Sequence, residues 1–294
     1  MEIVKNRKIY FILSGLLVLG SLISLLLWGL HLGIDFTGGS LMEIEFLNER
    51  SSNQEIQEKL SGLDLGQVNL QPTEDKGLII RLKDISEETH QNILEEIGLN
   101  QISEKRFESI GPLIGQELKR KAIWAIGLAL IAIILYIAWS FRKVSRPVAS
   151  WQYGLVAVIA LLHDIFITLG FFSVLSHFRE IDIGLPFVAA FLTILGYSVN
   201  NSIVIFDRAR ENLLRTNWDN FGQVINESVN QSLTRCLNTA LTTLLVLLSI
   251  FFLGGETIKY FSLALIIGII VGTYSSIFIT SSLIVGWYGR RLTS

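Results

Sequence analysis

Cysteine occurs once, as Cys236, which excludes an intrachain disulfide and any cysteine-built metal site. Charge is also scarce: Asp, Glu, Lys and Arg make up 17% of the 294 residues, against roughly 25% in a soluble globular chain. The formal net charge of −2 leaves no basic footprint for a nucleic acid. Half of the residues are apolar, far too many for a disordered chain. No HExxH, GxSxG or P-loop pattern occurs, and the four histidines are scattered at positions 31, 90, 163 and 177. The segments GIDFTGGS and Gly254–Gly255 are too short for nucleotide binding and lack a strand–loop–helix frame. Neither a metal site, a cofactor nor enzymatic activity is therefore expected.

The few charges leave long apolar stretches between them. No charged side chain lies between Lys8 and Asp35, and residues 122–140, 183–206, 236–255 and 260–289 are charge-free. Between Arg146 and Arg179 the only charge is Asp164. A helix needs about 20 apolar residues to cross a hydrocarbon core of about 30 Å, and each stretch reaches that length. Inside lipid the backbone must satisfy its own hydrogen bonds, so each stretch is expected to be helical. The first is longer than a signal-peptide core and no small-x-small cleavage pattern follows, so it reads as a retained span. Six spans result.

Orientation follows from Lys and Arg in the short loops. With the N-terminus inside, the inner segments hold Lys5, Arg7 and Lys8, then Arg142, Lys143 and Arg146, then Arg208, Arg210 and Arg215, then Arg290 and Arg291. The two short outer loops hold Arg179 and Lys259 beside Glu180, Asp182 and Glu256. Both termini are accordingly expected in the cytoplasm of a cell bounded by this membrane.

One water-exposed segment remains, about residues 31–120, with 17 of the 26 carboxylates. Residues 41–47 alternate apolar and acidic, as a half-buried strand does. Residues 52–60 and 86–97 have helical spacing, with Ser52 and Ser86 as N-cap candidates and Glu87 and Glu88 in a first turn. Residues 67–71, 77–82 and 102–110 read as strands. The order βαββαβ suggests a ferredoxin-like unit. The expected fold class is thus a multi-pass α-helical membrane protein: six transmembrane helices plus a small α+β (ferredoxin-like) extracytoplasmic domain. The expected division is 1–32, first transmembrane helix; 33–118, α+β domain; 119–294, a five-helix bundle with cytoplasmic loops.

Polar groups inside the spans are costly and call for a reason. Asp164 lies near the middle of the third span beside His163, and reads as a proton carrier, as the partner of a buried cation, or as a structural carboxyl. In the fourth span Tyr197, Asn201 and Arg208 share a helix face, with Asn200 and Asp207 next to it. Asp207, Arg208, Arg210, Glu211 and Asn212 mark the cytoplasmic end, where a solvated juxtamembrane charge run is expected. In the fifth span Ser232, Arg235, Asn238, Thr239, Thr242 and Thr243 form one polar stripe. Lipid does not tolerate it, so it faces other helices or a hydrated cleft. Arg235 needs an anion or water: Asp164 is the candidate partner, and snorkelling to the interface is the other reading. Gly268, Gly272, Ser276 and Thr280 recur at steps of four in the sixth span, which lets helix backbones approach closely.

Taken together, these motifs resemble SecF, the membrane subunit of the bacterial Sec protein-export machinery. The resemblance begins with GIDFTGG (Gly33, Asp35, Phe36, Thr37, Gly38 and Gly39 among its residues). It continues through FESIGPLIGQEL, LLHDIFITLGFF around Asp164, GYSVNNSIVIFDRAREN and SLTRCLNTALTTLL, and covers essentially the whole chain. It implies a SecD-like partner, the two six-span halves forming a pseudo-symmetric bundle related to the resistance-nodulation-division transporters. It also implies association with the SecYEG channel, preprotein substrates, a bilayer of the bacterial plasma membrane, and use of the proton-motive force without ATP to promote translocation.

One position departs from the family pattern. The fourth span of the family usually reads GYS-x-Asn-Asp-Thr, with the Asp taken as the proton-carrying group. Here that position is Asn201, followed by Ser202. An amide carries no titratable proton. Three accounts stay open: protons pass through the SecD half, protons pass through Asp164 with water, or Asn201 is a substitution mimicking a protonated Asp. The competing functions are a proton-uncoupled scaffold subunit and a small-molecule or lipid exporter of the same superfamily.

Overall fold

A computed structural model describes residues 2–73, 76–142, 148–179, 181–215 and 221–292. Lys143, Arg146 and Glu180, used above for orientation, lie outside the described residues, as do the side chains of Glu256, Arg290 and Arg291. The chain divides into two compact units: residues 31–123 with 182–185, and the remainder.

The smaller unit opens with a four-residue helix, α2 (Ile34–Thr37), numbered after α1 (Arg7–Leu27). Then follow β1 (Gly39–Phe46), α3 (Asn53–Leu60), β2 (Asn69–Thr73), β3 (Gly77–Leu82), α4 (Glu87–Ile97) and β4 (Ile102–Ile110). The strands pair antiparallel in the order β2-β3-β1-β4, the ferredoxin-like arrangement expected from βαββαβ. Alternation puts Met42, Ile44 and Phe46 of β1 and Leu78, Ile80 and Leu82 of β3 into one core with Ile56, Leu60, Ile93, Leu94 and Ile97 of the helices. Both predicted caps form: Ser52 accepts from the Glu55 amide at 3.2 Å and Ser86 from the Thr89 amide at 3.3 Å. β2 begins two residues later than its pattern predicts and includes Pro72, tolerated because β2 is an edge strand.

Among the described residues six helices are long and apolar enough to cross a membrane. They are α1, α5 (Pro112–Ser140), α6 (Ser150–Arg179), α7 (Leu185–Arg215), α8 (Phe221–Leu253) and a last span. The last span joins α9 (Glu256–Tyr274), a π-helical turn (Ser275–Thr280) and α10 (Ser281–Leu292). The chain is a membrane protein with a small α+β domain. The sequence pattern predicts an uninterrupted sixth helix, whereas the structure winds Ser275–Thr280 more loosely. α7 and α8 also run beyond their charge-free stretches, by nine and fifteen residues, because polar side chains tie these extensions together. Arg208 donates to Gln231 at 2.5 Å, and Asn212 donates to Ser228 at 2.8 Å and Gln231 at 3.0 Å. The bundle core gathers Tyr153, Val156, Phe206, Ala209, Phe221, Ile225, Val229, Ile277 and Ile284.

Candidate functional site

α6 carries Asp164 into the middle of the bundle, where its side chain has no solvent exposure. Burying a lone charge costs several kcal/mol even after relaxation, so the surroundings decide whether it is tolerated. Three donors surround it. Ser198 of α7 donates to Oδ2 at 2.6 Å, and Ser275, the first residue of the π turn, donates to the same oxygen at 2.8 Å. His163 Nδ1 lies 2.9 Å from Oδ1. Both carboxylate oxygens are thereby engaged.

Small residues make this approach possible. A Cβ on Gly272 would stand 3.0 Å from Ser198 Cβ and 3.4 Å from Asp164 Oδ2. One on Gly268 would fall 2.2 Å from Ile194 Cδ1. The stripe at steps of four is thus the surface on which α7 and α6 meet the last span. The looser winding at Ser275 is where that span presents a hydroxyl to the acid, as single π turns at functional sites often do. A second tier lies beside it: Ser202 donates to Ser276 at 3.1 Å, which donates to the Ser198 carbonyl at 3.0 Å.

Asn201 is buried one turn from Ser198, and its Nδ2 has no hydrogen-bond partner among the described residues. The Tyr197 hydroxyl lies among Thr243, Asn201 and Thr273. Three elements, α7, α8 and α9, thus bring polar side chains together here. Asn200, by contrast, is exposed.

Asp164 does not take Arg235 as its partner. The carboxylate is already filled by groups of its own bundle, while Arg235 is exposed and forms no ion pair among the described residues. α8 buries the face of Val229, Ser232, Cys236 and Ala240 instead. Asn238, Thr239 and Thr242 are exposed with Arg235. The threonines satisfy their hydroxyls locally, Thr239 donating to the Arg235 carbonyl at 2.9 Å and Thr242 to that of Asn238 at 3.0 Å. The guanidinium has no such internal solution.

The run at the end of α7 is more than a solvated charge run. Asp207 pairs with Arg210 at 2.7 Å and Glu211 with Arg208 at 2.5 Å, while Arg208 and Asn212 bridge to α8.

GIDFTGG proves to be a clasp inside the smaller unit. Gly33 donates its amide to the Ile183 carbonyl at 3.0 Å, and Ile183 donates to that of His31 at 2.8 Å, a one-residue parallel bridge. Asp35 Oδ2 accepts from the amide of Leu185, the first residue of α7, at 2.7 Å. Arg81 of β3 pairs with Asp182. Thr37 donates to the Gly33 carbonyl at 3.1 Å and Phe36 is buried beneath. Gly38 and Gly39 have φ of +76° and +128°, and a Cβ on either would come within 2.7 Å of Pro112 or Leu82 main-chain atoms.

Sequence reasoning missed Ser198, Ser275 and the contact of the His163 ring with the carboxylate. His163 adjoins Asp164 in the chain and was legible as a neighbour. The two serines carry no local signal, since serine is common in spans and only the packing selects these two.

Residues 89–290 match the family described as "Protein export membrane protein SecD/SecF, C-terminal", and residues 23–46 match "SecD/SecF GG Motif", which covers the clasp. The protein translocase subunit SecF of Thermobaculum terrenum is 40% identical, over 99% of this chain and 95% of that relative. The protein of the same name from Sebaldella termitidis is 38% identical over 97% and 91%. Among solved structures, the crystal structure of SecDF, a translocon-associated membrane protein from Thermus thermophilus, matches with a TM-score of 0.84 at 31% identity. That match covers 97% of this chain and 38% of the SecDF chain. With a family match across most of its length and near-complete relatives at this identity, the chain belongs to the SecF family of protein translocase subunits.

Proposed function

We propose that this chain is the SecF half of a proton-driven export motor. It pairs with a SecD-like subunit in the bacterial plasma membrane, with both termini in the cytoplasm and the α+β domain outside. Together they act on preproteins at the SecYEG channel, and no catalytic chemistry is performed by this half. The observation that carries proton coupling is Asp164: an acid fully buried within a membrane span, held by His163, Ser198 and Ser275 from three segments. Intramembrane acids in such settings mark ion pathways. A buried acid site at the junction of α6, α7 and the last span biases their packing when the site gains or loses a proton, which is what a coupled motor needs.

The partner reading rests on α8. Arg235 and Asn238 stand exposed on a span, where lipid offers neither an anion nor water. A second membrane subunit presenting a carboxylate satisfies both.

The test is preprotein release from proteoliposomes holding this chain, its SecD-like partner and the channel, with and without a pH gradient. The unaltered pair should release preprotein at least tenfold faster with the gradient, and Asp164→Asn should abolish the difference. An unchanged difference in that variant would place the coupling elsewhere. Asn201 favours a second reading, a scaffold whose partner does all the proton chemistry. Asn201→Asp should then change nothing, and a large gain in rate would reject it.

A further inference from the structure

We propose that His163, rather than the residue at position 201, is the group that takes up and releases the proton in this half of the motor. The inference rests on the proton-coupling reading of Asp164 and assigns the titrating atom within it. His163 is 91% buried by side chain, and its two ring nitrogens differ sharply. Nδ1 faces Asp164 Oδ1 at 2.9 Å, whereas Nε2 is buried and has no hydrogen-bond partner among the described residues. A carboxylate that already accepts from Ser198 and Ser275 is best served by an Nδ1–H, which fixes the tautomer and leaves Nε2 with a free lone pair. That lone pair is the proton-accepting atom. Asn201 offers none, because its orphan atom is an amide nitrogen.

The groups facing the ring define what its charge would meet. On its own helix there is Asp164. From α9 the Tyr274 ring lies near-parallel to the imidazole, 6.4 Å between centroids. α1 contributes Ser14, which donates to the Tyr274 hydroxyl at 3.3 Å, and the Tyr10 carbonyl, which accepts from that hydroxyl at 3.3 Å. α7 and the π turn contribute only the hydroxyls of Ser198 and Ser275, on the far side of the carboxylate. Among the described residues the one ion-pair partner of His163 is Asp164.

The cycle balances on one proton. A hydronium from the outer water gives its proton to Nε2, the imidazole becomes imidazolium, and a water is left behind. The dyad goes from one negative charge to neutral while the Nδ1–H···Oδ1 bond persists. Loss of the same proton to inner water restores the anion. The neutral dyad no longer needs the donors of α7 and the π turn as strongly, so these two contacts are where the charge change is read.

The test uses the full chain with its SecD-like partner and channel in proteoliposomes, comparing His163→Gln with the unaltered pair, and 15N spectra of histidine-labelled chain in bilayers. The gradient-stimulated part of preprotein release should fall at least tenfold in H163Q, with partner co-purification unchanged. The 15N signals that disappear in H163Q should move from the neutral to the doubly protonated pattern as the pH falls across the range of the imposed gradient in the unaltered chain. Retention of the gradient stimulation and its pH profile within twofold in H163Q overturns the proposal while leaving Asp164 intact as the coupling acid. So do His163 signals that stay constant across that range, a measurement that decides the matter even if H163Q does not assemble. Absence of any gradient effect in the unaltered pair overturns the wider reading together with this one.

Discussion

Ile44 in the α+β domain and Leu26 in α1 are both large aliphatics, yet the first is fully buried and the second is 85% exposed. The same contrast runs through their polar neighbours. In the α+β domain Lys105 meets Glu45 at 2.7 Å, Lys83 meets Asp64 at 2.6 Å, and both helix starts are capped by their own serines. In the bundle α1, α5 and α8 expose most of their apolar side chains, and Arg235 forms no ion pair among the described residues. One unit closes its interactions within itself. The other leaves apolar and polar side chains open on its surface, except at Asp164, where it has built a polar interior of its own.

The contrast can be broken or sharpened by substitution. The largest effect is expected at Asp164→Leu, which leaves Ser198, Ser275 and His163 facing hydrocarbon. Thermal unfolding of the bundle in detergent should show a loss of about 3–5 kcal/mol. Ser198→Ala removes one charge-assisted hydrogen bond and should cost about 1.5–3 kcal/mol in the same measurement. Arg235→Leu should leave that unfolding unchanged, because its guanidinium forms no ion pair among the described residues, yet lower co-purification of the SecD-like partner about tenfold, roughly 1.4 kcal/mol. Unchanged association would mean that lipid headgroups or water satisfy the guanidinium.

In the α+β domain, Ser86→Ala should cost about 1 kcal/mol of domain stability, read by chemical denaturation, since the Thr89 amide loses its cap. The smallest effect concerns acid. Lys105, by hydrogen bond and charge, holds the Glu45 carboxyl below its ordinary range. A carboxyl depressed in the folded state stabilises at pH above its unfolded value and loses that contribution as pH falls through the folded value. Glu45→Gln should therefore flatten the acid limb of the stability–pH curve slightly and leave neutral pH alone, and an unchanged limb would remove Glu45 from the acid response.

How much of this was legible in the sequence follows the same division. Caps, alternation and turn order are local, so the strands, both helices and the sheet type of the α+β domain could be read from Ser52, Ser86 and the 41–47 pattern. The six spans were legible because charge is excluded from lipid over whole segments. The π turn was not, because looser winding at Ser275–Thr280 shifts a pattern of small and apolar residues by a single position. Nor were the partners of Asp164. Sequence supplies one buried cation candidate, Arg235, and charge alone would pair them; the helix faces decide otherwise, turning Cys236 inward and Arg235 out. GIDFTGG was legible as a signature, but its work as a clasp on residues 182–185 depends on two segments roughly 150 positions apart.

The most direct measurement is proton uptake into vesicles containing only this chain and its SecD-like partner, driven by an imposed pH gradient, for the unaltered pair and for Asp164→Asn. Uptake that falls to the level of empty vesicles in the variant, with both subunits still assembled, is the expected result. Uptake at the unaltered rate in Asp164→Asn would contradict a proton path through the acid at the centre of this bundle.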